Sequence, residues 1–318
     1  MLPILMYPAF RGGKLTPWGG KKLKELFHKN IPDDTTGEAL ELSAIPGLPS
    51  RDGEGRSLPD LISQNGEALI GTAVGEPFPL LLKLLDAREQ LSVQVHPDDE
   101  YAGKTENKLG KTEAWVILQA EPGARLVYGI RPGTTREELK SASLRGRDVE
   151  ALLNYVPVHP GDVFYIPSGT VHAIGSGIVL YEIQQSSDVT YRFYDWDRTD
   201  EKGNRRELHL DKALDVTNLD FEPKAAAARL LHQSPSGKLE RLLDEKYFVL
   251  DRYQDCLDMP LVPDRRRFSI LTAIEEGSVS CGNRTFAMPA GQTALIPADC
   301  RILTLNGPHF LNAYPAVR

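Results

Sequence analysis

The stretch from His159 to His172 constrains this chain more than any other. It reads His-Pro-Gly-Asp-Val-Phe-Tyr-Ile-Pro-Ser-Gly-Thr-Val-His, two turn signals around a short apolar strand. Pro160-Gly161 and Pro167-Ser168-Gly169 each mark a tight turn, with Val163 and Tyr165 on the strand between them. His172 then heads a new strand that runs on toward Ile178-Val179-Leu180-Tyr181. A histidine set directly after a rigid turn projects with little freedom, which suits a metal ligand. It equally suits a histidine hydrogen-bonded in a β-core. The frame recurs near the C-terminus as Gly291-x5-Pro297, with Asp299 in place of Gly169 and Ile302 in place of His172. A repeat that keeps the turns and loses the donor predicts a second β-unit with structural duty and no metal site.

With 318 residues the chain is long enough to bury a large core. Its charged fraction of 25% and hydrophobic fraction of 41% are those of an ordinary globular protein. A net charge of -7 argues against general affinity for nucleic acid or an anionic membrane, so an anionic substrate needs a local basic pocket. The three cysteines, Cys256, Cys281 and Cys300, make neither a disulfide framework nor a zinc ribbon. The opening Met-Leu-Pro-Ile-Leu-Met-Tyr-Pro has no basic start and no long apolar run. These features predict a cytoplasmic protein with no membrane or nucleic-acid partner.

In chain order, an extended piece from Ile4 to Phe10 leads through Pro17-Trp18-Gly19-Gly20 to a helix-spaced Lys21–Phe27. Glu41-Leu42-Ser43 predicts a strand, and Ser57 onward a short capped helix. Pro79–Asp86 is an apolar run with one lysine, Lys83, at its middle, either snorkelling or aimed at an anion. Along Leu91–His96, period-two alternation puts Ser92, Gln94 and His96 on one face and Val93 and Val95 on the other. Such a polar stripe should line a wet pocket or a metal site, because partnerless polar side chains are costly in a dry core. Lys111, Glu113 and Trp115 alternate together on the next strand. Residues 133–155 read as a helical insert, and 222–245 as a connecting region before strands resume at Tyr247.

Three strands thus offer Gln94 and His96, Glu113, and His172: imidazole nitrogens with carboxylate or amide oxygens, a set suited to a divalent first-row metal, most simply zinc. The spacing Gly161-x5-Pro167-x-Gly169-x2-His172 resembles the second motif of the cupin barrels. Taken with Trp18-Gly19-Gly20, Gly37-Glu38, Glu41-Leu42-Ser43, Leu91–Pro97, Lys111–Trp115, Glu182, Ser187-Asp188 and Arg192, the chain resembles the short bacterial type I mannose-6-phosphate isomerases along nearly its whole length. Thr112 stands where many of those enzymes have proline.

The resemblance implies a mainly β fold of two cupin-type jelly-roll barrels. The first, 1–235, would be catalytic and carry the helical insert; the second, 236–318, would be a degenerate barrel without metal. It further implies one zinc ion per chain on Gln94, His96, Glu113 and His172. Arg192, Lys111 and Glu182 would be catalytic, with Lys83, Ser92, Asp188 and Trp18 at the substrate. The chemistry fits these types. Aldose–ketose isomerisation moves a proton between C1 and C2 through an enediol(ate), which needs a base and a cation for the oxygen charge. An arginine offers a planar fork for phosphate or enediolate. Two alternatives use the same residues: an Fe(II) oxygenase on His96, Glu113 and His172, and a sugar-phosphate-binding protein without turnover.

Overall fold

The computed structural model describes residues 1–200, 202–224 and 226–317. The chain is mainly β, as the alternation in its sequence requires. The first strands are β1 (Ile4–Tyr7), β2 (Ala9–Arg11), β3 (Glu38–Leu42), β4 (Arg51–Asp52) and β5 (Leu80–Ala87). The middle of the chain gives β6 (Val93–Val95), β7 (Glu113–Ala120), β8 (Arg125–Ile130), β9 (Leu153–Pro157) and β10 (Val163–Ile166). It continues with β11 (His172–Ala173), β12 (Ile178–Gln185) and β13 (Tyr191–Tyr194). The last part holds β14 (Arg229–Ser234), β15 (Gly237–Asp244), β16 (Phe248–Leu261) and β17 (Ser269–Ala273). It ends with β18 (Gly277–Cys281), β19 (Arg284–Met288), β20 (Thr293–Ile296) and β21 (Leu303–Pro315).

Two compact units result, one of Met1–Leu85 with Ala226–Arg318 and the other of Asp86–Ala225. This division differs from a single cut at 235/236. The cause is β1, which pairs antiparallel with β20 (Ile4 opposite Leu295) and so joins the N-terminal strand to the C-terminal sheet. That sheet runs β14-β15-β16-β21-β17-β20-β1-β4, with β18 and β19 on its flank. Residues 222–245 are likewise no mere connection, because β14 and β15 form a hairpin there. Five of the six β14 residues are exposed, Leu230 and Leu231 among them, so the strand lacks the alternation that half-burial imprints.

In the other unit β7 is flanked by β10 and β12. A separate five-stranded sheet runs β13-β6-β11-β8-β9. One face of it is apolar: Val93, Val95, Val127, Ala173, Tyr191 and Phe193 pack with Leu139, Ala142 and Val149 of the helical insert. That insert is a helix over Arg136–Leu144, capped by Thr135 and Glu138 in a capping box, followed by 3-10 turns over Gly146–Leu152. Covering one face with helices leaves the opposite face of the sheet for polar side chains.

Candidate metal centre

Opposite residues on paired strands share a face, so register decides what meets on that polar side. His172 of β11 lies opposite Gln94 of β6 and opposite Tyr128 of β8, and Gln94 lies opposite Arg192 of β13. The row Arg192–Gln94–His172–Tyr128 therefore crosses the sheet on one face. Val93 and Val95, alternating with Gln94, point into the core behind it.

His96, Glu113 and His172 come together fully buried, their donor atoms within 4.8 Å of one another. Glu113 Oε1 is 3.2 Å from His172 Nε2, and Glu113 Oε2 is 3.6 Å from His96 Nε2. Each imidazole is oriented from behind: His96 Nδ1 lies 2.9 Å from the Val189 carbonyl and His172 Nδ1 2.9 Å from the Thr170 carbonyl. With Nδ1–H donating to those carbonyls, both Nε2 atoms carry lone pairs aimed at the cluster. Neither Nε2 has a hydrogen-bond partner, while Glu113 Oε2 faces the Lys111 ammonium. Lone pairs facing a carboxylate at these distances repel one another unless a cation lies among them, and the donor set fits a divalent metal.

The electrostatics keep the donors ready. Burial, with the Lys111 charge second, pushes the His96 imidazole well below its usual pKa, so the ring is neutral. Burial alone would raise the Glu113 carboxyl. The Lys111 ammonium, 2.9 Å from Oε2, and the two imidazoles outweigh it and hold the group well below the carboxylate range.

Glu182 lies on β12 opposite Trp115 of β7 and accepts a 2.9 Å hydrogen bond from the indole N–H. The same indole meets His172 edge-on, with ring centroids 5.4 Å apart. Arg192 donates from Nη1 to the Glu207 carbonyl at 2.8 Å, while its buried Nε has no partner. Burial, and then the nearby Arg206 charge, lower its pKa. Ser92 is buried just ahead of β6. Asp188 is exposed, on the segment between β12 and β13, and pairs with Lys108 at 2.6 Å.

Lys83 and Trp18 belong to the other compact unit. Lys83 is buried 3.4 Å from Glu38, so the anion that a mid-strand lysine calls for is supplied within its own unit. Trp18 is buried against Gly37, where a Cβ would meet the indole at 2.4 Å.

One residue of this neighbourhood escaped the sequence reading. Gln184 is opposite Glu113, fully buried, and its amide nitrogen donates to the carbonyls of Gln185 and Ser187. Its Oε1 has no partner. The signal was available, since period two along Tyr181–Gln185 puts Gln184 on the face of Glu182.

The family model for the catalytic domain of type I phosphomannose isomerase matches residues 12–114. The mannose-6-phosphate isomerase of Streptococcus mutans is 38% identical over 91% of this chain and 92% of its own. The chain belongs to the type I phosphomannose isomerase family, and so to the isomerases. The mannose-6-phosphate isomerase ManA of Bacillus subtilis is 39% identical over 96% of both chains. A crystal structure of mannose 6-phosphate isomerase from Bacillus subtilis superposes with a TM-score of 0.90, at 32% identity over 99% of each chain. The matched segment 12–114 ends just after Glu113 and leaves out His172, the donor with which the sequence argument began.

Proposed function

We propose that this isomerase interconverts mannose 6-phosphate and fructose 6-phosphate, using one zinc ion held by Gln94, His96, Glu113 and His172. The observation that carries the reading is the set of three buried donors in which both imidazole Nε2 atoms face Glu113 without a hydrogen-bond partner while both Nδ1 atoms are pinned by carbonyls. Gln94 joins them by lying directly opposite His172. A bound zinc supplies Lewis-acid stabilisation for oxygen charge that develops at C1 and C2.

The remaining roles follow from this chain's own groups. Lys111 neutralises Glu113 and adds positive charge beside the sugar oxygens. Arg192, with a buried guanidinium edge unpartnered on the face of Gln94 and His172, grips enediolate or phosphate. Glu182, fixed by Trp115, orients a hydroxyl or relays the proton. Ser92 contacts the substrate from the polar stripe. The odd set of cysteines and the metabolic substrate fit a cytoplasmic enzyme acting as a monomer or weak dimer. A coupled assay for fructose 6-phosphate, run on metal-analysed protein, tests the reading. Turnover that disappears with chelation and returns with zinc supports it. Absence of turnover on mannose 6-phosphate by zinc-replete protein overturns it.

A further inference from the structure

The reverse side of the sheet that carries His172 and Arg192 holds a cavity of about 280 Å3, lined entirely within residues 90–196. At roughly 30 Å3 per water it has the volume of about nine waters, enough for a short phosphorylated or carboxylated polyol. Its floor includes Val127 and Ala173, which alternate with Tyr128 and His172 and so face away from the metal centre. Three aromatic residues, Tyr155, Tyr194 and Trp196, and two arginines, Arg125 and Arg147, line it.

Several features separate this cavity from an accidental gap. Arg125 lies with its guanidinium 4.1 Å from the centre of the Tyr155 ring. That contact leaves the planar fork without a carboxylate within 4.0 Å among the described residues. Stacked guanidinium forks of this kind are suited to planar, bidentate recognition of oxyanions. The one acidic group in the lining, Glu150, is already engaged: it accepts from Tyr194 OH at 2.9 Å and lies 3.7 Å from Arg147. Trp196 and Asp197 are successive non-glycine residues in the left-handed region, at φ 57° and 55°. Such conformations persist only where the surroundings impose them. Here the Trp196 indole N–H donates to the Leu91 carbonyl at 2.6 Å, fixing the ring as a wall. Gly175 also lines the cavity, and its backbone packs so closely on the Arg125 carbonyl that a Cβ there would strike it.

We propose that this cavity is an accessory binding site for a small anionic polyol, with Arg125 gripping its phosphate or carboxylate and the aromatic rings covering its carbon face. Position gives the site a regulatory bearing. Ala173 is the residue after His172 on β11, and Tyr194 is two residues beyond Arg192 on β13. An occupant therefore presses on the strands that carry a metal donor and the arginine, from the other side. The cavity site stands apart from the isomerase reading, which enters only through the second equivalent expected on the Arg192 side, and the test is a count of binding equivalents.

Calorimetric titration with glycerol 3-phosphate, with glycerol as the neutral control, is run on the parent, on Arg125→Ala and on Arg192→Ala. The parent should bind two equivalents, and glycerol none. Arg125→Ala should lose one equivalent or bind it at least tenfold more weakly, the usual worth of a charged hydrogen bond. Its turnover without added glycerol 3-phosphate should stay within about twofold of the parent, since a charge contact removed at a distant site leaves the reacting groups in place. Arg192→Ala should keep the equivalent that depends on Arg125. Two equivalents of unchanged affinity in Arg125→Ala would overturn the proposal, as would a single equivalent in the parent that Arg125→Ala retains. Tyr155→Phe, which keeps the ring under the guanidinium, should bind like the parent; loss of the equivalent there would also count against it.

Discussion

Residues 159–172 and 289–302 make the same backbone bonds and end in different surroundings. In the first, Gly161 N–H donates to Ile117 O at 2.8 Å, Asp162 N–H to His159 O at 3.1 Å and Thr170 N–H to Pro167 O at 3.2 Å. In the second, Gly291 N–H donates to Ala273 O at 2.7 Å, Gln292 N–H to Pro289 O at 2.9 Å and Cys300 N–H to Pro297 O at 3.0 Å. The strands between the turns, β10 and β20, are both four residues long. Past the second turn the copies part. His172 is wholly buried on β11 between β6 and β8, whereas Ile302 is 62% exposed and precedes β21. The turn motif thus sets a direction for the chain, and the flanking strands decide whether the next side chain reaches a site.

Gly169 marks the divergence. It sits at φ +86°, donates to the His96 carbonyl and accepts from Asn218, ties that draw the turn against β6. Asp299 has no positive φ to accommodate, so a side chain is tolerated there. A second contrast concerns buried imidazoles. His309 of β21, like His172, has a buried Nε2 without a partner. Its nearest carboxylate, Glu275, is 4.0 Å away and 62% exposed, so it lacks the convergent donors that His172 shares with His96 and Glu113.

The sharpest way to break the comparison is to exchange the last residue of each copy for alanine. His172→Ala should cost on the order of 1000-fold or more in turnover, since it removes a metal donor from a dry site. Ile302→Ala should leave the rate within about twofold, as surface changes generally do. Comparable losses in the two variants would erase the functional distinction. Next comes Arg192→Lys, which keeps charge and stem but loses the fork. It should retain metal and fold and lose about 100-fold in kcat/KM. A rate within about twofold of the parent would remove Arg192 from the site.

Smaller effects sharpen the structural half of the contrast. At Gly169 an added Cβ would meet the Val216 carbonyl at 2.9 Å in a left-handed conformation. Gly169→Ala should therefore destabilise by about 2 kcal/mol, while Asp299→Gly should change stability by no more than about 0.5 kcal/mol. Denaturant titration of both variants reads the difference, and equal shifts would contradict it.

The smallest effect is acid sensitivity at His309. Burial, with Arg252 nearby, lowers its pKa from 6.5 to about 4. The unfolded chain then takes up the proton first. Stability from this residue is whole above pH 6.5, falls as pH drops toward 4, and changes no further below that. At pH 5.5 the loss is roughly 1 kcal/mol, and His309→Gln should abolish that part of the slope. An unchanged slope in the variant would show that His309 titrates normally.

The sequence made the polar stripe, the turns and the ligand types legible because β-alternation and turn chemistry are local. Gln94 and Val93 took opposite faces as alternation requires. Register was not legible: that His172 meets Gln94 and Tyr128, or that Gln184 meets Glu113, depends on strands far apart in sequence. The β1–β20 pairing that shapes the first compact unit spans almost the whole chain and leaves no local trace. Lys83 and Trp18 show the same limit. A lysine in an apolar strand left snorkelling and an anionic partner both open, and Glu38 could be named only from the structure.

The central claim is that the metal is held where the motif enters a sheet and not where it is merely repeated. Metal content by mass spectrometry, on zinc-reconstituted and dialysed parent, His172→Ala and Ile302→Ala, tests it most directly. One zinc per chain is expected in the parent and in Ile302→Ala, and far less than one in His172→Ala. Full occupancy in His172→Ala, or loss of the ion in a folded Ile302→Ala, would contradict the claim.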